Sequence, residues 1–381
     1  MRLQPLLNPL PKFEGSGWIR RLVKPEEISH NGAVKQSMRG EVRNPSSCYF
    51  GQRFPMDQNS PEIVTGLQAV MKASSLCRKV RMDLVGGEAI LKSDRSPVTI
   101  ADYGSQAIIC KLIRERFSHD TIVAEEDSRE LRRPDRSKIL EQVRSYVNVF
   151  VPTSSSEEVC SWIDFSSNAT TDRFWALDPI DGTKGFLRGD QYAIALALVE
   201  KGMVKLGILA CPNLYADVKR PSGEKGCLFV ALKGKGSVQM DNNGMNPRAI
   251  SVSRVKNPSE AMITESVESD HANHLAHQRL AERLHITEPS FKMDSQAKYG
   301  ILARGEVSLY LRVPSPSEPG YKENIWDHAA GTIIAEEAGG RVTDVLGKPL
   351  DFSCGTKMVK NHGVVVSNGI LHDLVLKALG I

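Results

Sequence analysis

Residues 174–183 read Phe-Trp-Ala-Leu-Asp-Pro-Ile-Asp-Gly-Thr, an apolar run that ends in two carboxylates, Asp178 and Asp181, followed by the hydroxyl of Thr183. Two hard oxygen donors on so short a loop suit Mg²⁺. With a hydroxyl beside them, the chemistry they can support is metal-assisted phosphate hydrolysis. A strand ending at Leu177 delivers Asp178 to a sheet edge, Pro179 stops its ladder, and Gly182 allows the turn that brings Asp181 back. Taken alone, the same residues also describe a polar β-turn, because Asp, Pro and Gly all favour turns.

Other acidic segments decide between these readings. Val123-Ala124-Glu125-Glu126-Asp127-Ser128 follows an apolar stretch, and Ile325-Trp326-Asp327-His328-Ala329-Ala330-Gly331 puts another carboxylate where a helix begins. Lys92-Ser93-Asp94-Arg95-Ser96-Pro97-Val98-Thr99-Ile100-Ala101-Asp102 adds one more, and Asp102 precedes Glu125 by 23 positions, enough for a helix out and a strand back. Five acids in one pocket repel each other unless cations are bound. Only Lys92 and Lys184 lie near these motifs, too few to neutralise the set. A metal cluster is therefore favoured over a solvated acidic surface.

The elements that carry these segments follow from periodicity. Ser60-Pro61-Glu62 combines a cap, a first-turn proline and an acid that complements the helix dipole. Ile63, Leu67, Val70, Met71 and Ser74 then recur at helical spacing, and a second helix follows Asp102 with Ile108, Ile109, Leu112, Ile113 and Phe117 on one face. Residues 192–199 and 203–210 flank Lys201-Gly202, and 227–232 and 237–240 flank a Gly-rich turn, which predicts antiparallel hairpins. Helical patterns at 271–284 and 328–338 mix with short strands at 307–313 and 363–366, and residues 129–167 read as an excursion between core elements. The expected organisation is a leader over 1–56, an N-terminal α+β metal-binding domain over 57–248 and a C-terminal α/β domain over 249–381.

The chain has 381 residues, 41% of them hydrophobic and 25% charged, which describes an ordinary soluble protein with room for two cores. No apolar run approaches a membrane span, so no membrane partner is expected. Seven scattered cysteines without a C-x-x-C spacing predict reduced thiols outside the secretory pathway. Residues 1–56 hold nine Lys and Arg against four acids, an excess of +5 that exceeds the +4 of the whole chain and leaves −1 for the rest. The basic excess belongs to the leader, so no nucleic-acid partner is implied. That leader is compatible with import into a mitochondrion or plastid; a cytoplasmic location is the alternative.

In order along residues 60–381, the motifs S-P-V-T-x-A-D, E-E-D, D-P-I-D-G-T and W-D-x-A-A-G make the chain resemble the inositol monophosphatase superfamily of magnesium-dependent, lithium-sensitive phosphatases. Met293-Asp294-Ser295-Gln296-Ala297-Lys298-Tyr299, followed by Leu309-Tyr310-Leu311-Arg312, is similar to the superfamily's 3′(2′),5′-bisphosphate nucleotidase branch. The resemblance implies an α+β fold, a layered αβαβα sandwich with an antiparallel N-terminal sheet and a mixed C-terminal sheet. It implies two or three Mg²⁺ held by Asp102, Glu125, Asp178, Asp181, Asp327 and the carbonyl of Ile180. It further implies a bisphosphorylated nucleotide as small-molecule partner, bound by Thr183, His271, Ser295, Lys298, Arg312 and Asp327, with Lys298 and Arg312 facing its 5′-phosphate.

The reaction so implied is hydrolysis of 3′-phosphoadenosine 5′-phosphate (PAP) to AMP and phosphate, with the sulfated form (PAPS) as a further substrate. Thr183, hydrogen-bonded to Asp102, would orient and deprotonate the attacking water, with Glu125 sharing that work. Backbone N–H groups after Asp181 would open a helix facing the cleaved phosphate. A monomer is expected. An inositol monophosphatase-like sugar phosphatase and a non-catalytic nucleotide sensor are the alternative readings.

Overall fold

The computed structural model describes residues 60–83, 90–91, 97–98 and 100–380, except 154, 168–169, 222, 224, 268–273 and 315–319. The leader, the loop at 92–96 and His271 lie outside the described residues. Helix α1 (Pro61–Asp83) starts at the expected cap, where the Ser60 hydroxyl donates to Glu62 at 2.7 Å. It buries Ile63, Val70 and Ser74 as its periodicity predicts, together with Ala69, Ala73 and Leu76. A short antiparallel pair, β1 (Ile90–Leu91) and β2 (Pro97–Val98), precedes α2 (Ile100–Arg116). Helix α2 opens two residues before Asp102, so that carboxylate sits in its first turn.

A seven-stranded sheet follows, formed in order by β3 (Thr121–Ala124), β4 (Arg173–Asp181), β5 (Ala193–Glu200), β6 (Met203–Tyr215), β7 (Lys225–Leu232), β8 (Ser237–Asp241) and β9 (Arg248–Ala249). It is antiparallel as expected except for its first pair, because β3 and β4 run parallel. The intervening residues are also not the irregular excursion expected. They fold into α3 (Ser137–Phe150) and α4 (Ser156–Ile163), which pack on α2 through Val143, Val147, Val159 and Trp162. Their few apolar residues at helical spacing are obscured by the charged and serine-rich positions between them.

Strand β5 explains the closeness of the layers. Ile194, Leu196 and Leu198 enter the core under α1 and α2, whereas Ala193, Ala195 and Ala197 enter the core on the opposite side. Small residues there admit a helix backbone: a Cβ on Gly207 of neighbouring β6 would lie 2.7 Å from the Ala330 carbonyl. That helix is α8, reached after α5 (Thr183–Arg188), α6 (His274–Arg283) and α7 (Ala297–Ala303), and it spans Ala329–Glu337.

The second sheet is mixed, as expected, with spatial order β11 (Phe291–Lys292), β10 (Ile263–Glu265), β12 (Leu309–Arg312), β14 (Val364–Ser367) and β13 (Arg341–Thr343). β10 pairs in parallel with β11 and β12, and β14 runs antiparallel to its neighbours. Helices α7 and α8 lie between the sheets, α1 and α2 cover the outside of the first, and α6 with α9 (His372–Leu379) covers the second. These are five layers, αβαβα. The first sheet ends at Ala249 and the second begins at Ile263. Among the described residues no helix is long and apolar enough to cross a membrane, and the six described cysteines are free thiols.

Candidate active site

The parallel register decides where the acids meet. Ala124 at the end of β3 pairs with Leu177 of β4, so Glu125 leaves β3 beside Asp178 of β4. Strand β4 does not stop at Pro179 as expected: pairing with β5 lapses after Asp178 and resumes at Asp181, opposite Ala193. Proline is tolerated there because the strand bulges, and a bulge needs no ladder N–H. The bulge is tied inward, since the Ser105 hydroxyl on α2 donates to the Pro179 carbonyl at 2.9 Å and the Ile180 N–H to Asp178 Oδ1 at 3.1 Å.

Helix α5 starts at Thr183 after Gly182, whose φ of +84° is one that side chains rarely adopt. The Thr183 hydroxyl lies 3.5 Å from Asp102 Oδ1 and 3.2 Å from the Ile180 carbonyl. Asp102 is almost fully buried and stands behind Thr183 rather than among the cavity-lining residues.

A cavity of about 360 Å³ opens over this turn and unites nine of the sequence-predicted residues: Glu125, Asp178, Ile180, Asp181, Thr183, Ser295, Lys298, Arg312 and Asp327. Ser295 adopts a left-handed φ of +66°, and its hydroxyl accepts from the Ala297 N–H at 3.2 Å. Lys298 is buried, with its ammonium 3.3 Å from the Ser266 hydroxyl, 3.2 Å from the Met293 carbonyl and 5.3 Å from the centre of the Tyr310 ring. Arg312 ends β12 and is paired with Glu323. Neither Glu323 nor the cavity residues Ser266, Tyr321, Asn324 and His328 stood out in the sequence; for Asn324 and His328 the adjacent Trp326-Asp327 was the available signal.

Burial and then the charges of Glu125, Asp181, Asp327 and Asp102 push the Asp178 carboxyl well above its ordinary range. Burial and then Asp181 and Glu323 do the same to Asp327. Asp181 is raised by burial too, but Lys298, the Gln296 N–H, Arg312 and His328 oppose the rise. The basic partners thus exist, contrary to the expectation that only Lys92 and Lys184 were near. They come from the C-terminal half, and they relieve Asp181 while Asp178 remains surrounded by acids.

Among the described residues no group of three His, Cys, Asp or Glu side chains is arranged to hold an ion by itself. Mg²⁺ does not need such a cage: it binds one or two carboxylates and completes its shell with water and substrate phosphate. Buried carboxylates that raise one another's pKa, next to a main-chain carbonyl, are a donor set that fits it.

Residues 59–380 match the inositol monophosphatase family. The chain belongs to that family. An Oryza sativa relative named 3′(2′),5′-bisphosphate nucleotidase is 43% identical over 336 residues, covering 84% of this chain and 93% of its own length. An Arabidopsis thaliana 3′(2′),5′-bisphosphate nucleotidase 1 is 44% identical over 338 residues, covering 84% and 95%. Among solved structures, the Thermotoga maritima IMPase superposes with a TM-score of 0.59 at 24% identity, over 84% of this chain and 96% of that one. That likeness concerns the fold, and it is the five-layered arrangement described above. The family is typically magnesium-dependent, in keeping with the donor set around the Asp178 turn.

Proposed function

We propose that this protein is a Mg²⁺-dependent 3′(2′),5′-bisphosphate nucleotidase that hydrolyses PAP to AMP and phosphate and also accepts PAPS. The observation that carries the reading is the meeting, in one cavity, of the acidic Asp178–Asp181 turn with Lys298 and Arg312. An acidic pole suits cations at a scissile phosphate, and a basic pole suits a second anionic group on the same small substrate. The nucleotidases named above support the nucleotide as that substrate.

Two or three Mg²⁺ would be held by Glu125, Asp178, Asp181, Asp327 and the Ile180 carbonyl, with Asp102, expected among the ligands, standing behind Thr183 instead. When bound, they supply the positive charge that offsets repulsion between the phosphate and the attacking oxygen. Thr183 orients the attacking water, and Asp102 behind it accepts the hydroxyl proton and keeps the side chain in one rotamer. Glu125, at the exposed end of β3, is a second acceptor for the water's proton. Lys298 and Arg312 hold the 5′-phosphate and so fix the distance to the 3′-phosphate.

Phosphate release from PAP, PAPS, 3′-AMP and inositol 1-phosphate, with Mg²⁺ and with chelator, tests the reading. Mg²⁺-dependent turnover with PAP preferred is expected; preference for inositol 1-phosphate would overturn the substrate, and turnover unaffected by chelator would overturn the metal. For the leader the reading is organellar import, tested by imaging residues 1–56 fused to a fluorescent reporter; a diffuse cytosolic signal would overturn it.

A further inference from the structure

Glu323 is buried, with 8% of its surface exposed, and it grips Arg312 by two bonds. Its Oε1 accepts from Arg312 Nε at 3.2 Å and its Oε2 from Nη2 at 2.7 Å, so one edge of the guanidinium is held and Nη1 lies outside the grip. The segment that carries the carboxylate is itself anchored. The Met358 N–H donates to the Glu323 carbonyl at 2.9 Å, the Ile325 N–H donates to the Thr356 carbonyl at 3.0 Å, and His328 Nε2 stands 3.3 Å from Glu323 Oε2. His328 Nδ1 is 2.8 Å from the hydroxyl of Tyr299, the neighbour of Lys298 in α7.

For attracting an anion, this carboxylate carries the wrong charge. It cancels part of the field that Arg312 projects into the cavity, and a site built on charge alone has no use for it. What it supplies is orientation: a forked pair fixes the plane of a guanidinium in a way a single contact does not. Such support decides whether a binding group meets its ligand in one geometry or several.

We propose that Glu323 is the positioning residue that aims Arg312 at the 5′-phosphate, and that selection for a substrate with a second phosphate depends on it. This rests on the nucleotide reading above. The two physical accounts have opposite signs: loss of a negative charge alone tightens anion binding, whereas loss of positioning weakens it.

The test is steady-state kinetics with Mg²⁺ on PAP and on 3′-AMP, which lacks the 5′-phosphate, for wild type, Glu323→Ala, Glu323→Gln, Arg312→Ala and the Glu323→Ala/Arg312→Ala double variant. For Glu323→Ala, KM for PAP should rise about tenfold or more, while kcat for PAP and both constants for 3′-AMP stay within about threefold. Glu323→Gln, which keeps one acceptor oxygen, should fall between, and the double variant should be no worse than Arg312→Ala because both act through one contact. An unchanged or lower KM for PAP, an equal loss on both substrates, or additive effects in the double variant would each overturn the inference. Should Glu323→Ala fail to fold, Glu323→Gln carries the same comparison. A wild-type enzyme that uses PAP and 3′-AMP equally well would sink the nucleotide reading and this inference with it, whereas a clear wild-type preference that the Glu323 variants retain overturns the inference alone.

Discussion

The main-chain N–H of Gln296 donates to the Asp181 carboxylate at 2.5 Å, joining two segments 115 residues apart. The same glutamine reaches onward, donating from Nε2 to the Trp326 carbonyl at 2.9 Å and accepting from the Gly331 N–H at 3.0 Å. One residue, through its main-chain N–H on one side and its side chain on the other, thus fastens the Asp178–Asp181 turn to α8 and the segment leading into it, where Asp327 lies. The acidic turn and the basic half of the cavity are positioned as one piece.

They are also close at Gly182. A Cβ there would lie 3.0 Å from the Ser295 Cβ, at a φ of +84° that already disfavours a side chain. Gly182→Ala should therefore cost about 1–3 kcal/mol of stability and lower activity by spreading the two segments. Urea unfolding checks the first effect and PAP turnover the second; a variant with wild-type values for both would show that the contact is not needed.

Thr183 sits between Asp102 and the Ile180 carbonyl, with its hydroxyl within 3.5 Å of both. Thr183→Ala should reduce kcat roughly 10²- to 10⁴-fold with little change in KM, and Thr183→Ser should restore most of the rate. Retention of more than about a tenth of kcat in the alanine variant would remove Thr183 from the chemistry.

Lys298 should make binding pH-dependent. Burial first, then Arg312, lower its ammonium to about 8, against the opposing pull of Asp181 and Asp294. Below that pH the side chain is charged and above it neutral, so KM for PAP should climb as pH passes 8. In Lys298→Arg the climb should vanish, because guanidinium stays protonated. A KM that is flat from pH 7 to 9 in the wild type would exclude Lys298 as a phosphate contact.

The raised carboxyls make a prediction about the metal-free protein. A group whose folded pKa lies above its unfolded value contributes stability below the unfolded pKa, and that stability is lost as pH rises through the folded one. Asp178, Asp181 and Asp327 all shift upward, so in chelator the melting temperature should fall as pH rises from the acid range towards neutrality. Mg²⁺ binds the folded, ionised form and should raise the melting temperature more at pH 8 than at pH 5. Asp178→Asn should stabilise the metal-free protein at pH 8 and abolish turnover. Scanning calorimetry at both pH values decides it, and equal Mg²⁺ shifts would contradict the acid cluster as the binding site.

Local chemistry made part of this legible. The helix cap at Ser60, the hairpin turn at Lys201-Gly202 and the turn at Gly182 depend on neighbours a few residues away, and they appear where the sequence puts them. The bulge at Pro179 was not legible, because only the pairing of Asp181 with Ala193 shows that β4 resumes after it. Helices α3 and α4 were missed because α2 supplies the surface that makes their sparse apolar faces worth burying.

By itself the sequence determined which chemical groups are present and in what order: acids grouped on short turns, a hydroxyl beside them, and Lys298 and Arg312 far downstream. Only the tertiary structure decided that Asp102 stands behind Thr183, that Lys298 and Arg312 act on Asp181 while Asp178 remains among acids, and that Glu323 holds Arg312. The reason is that electrostatic coupling and burial depend on distance through space. Residues 115 positions apart can touch or never meet, and no periodicity along the chain distinguishes the two.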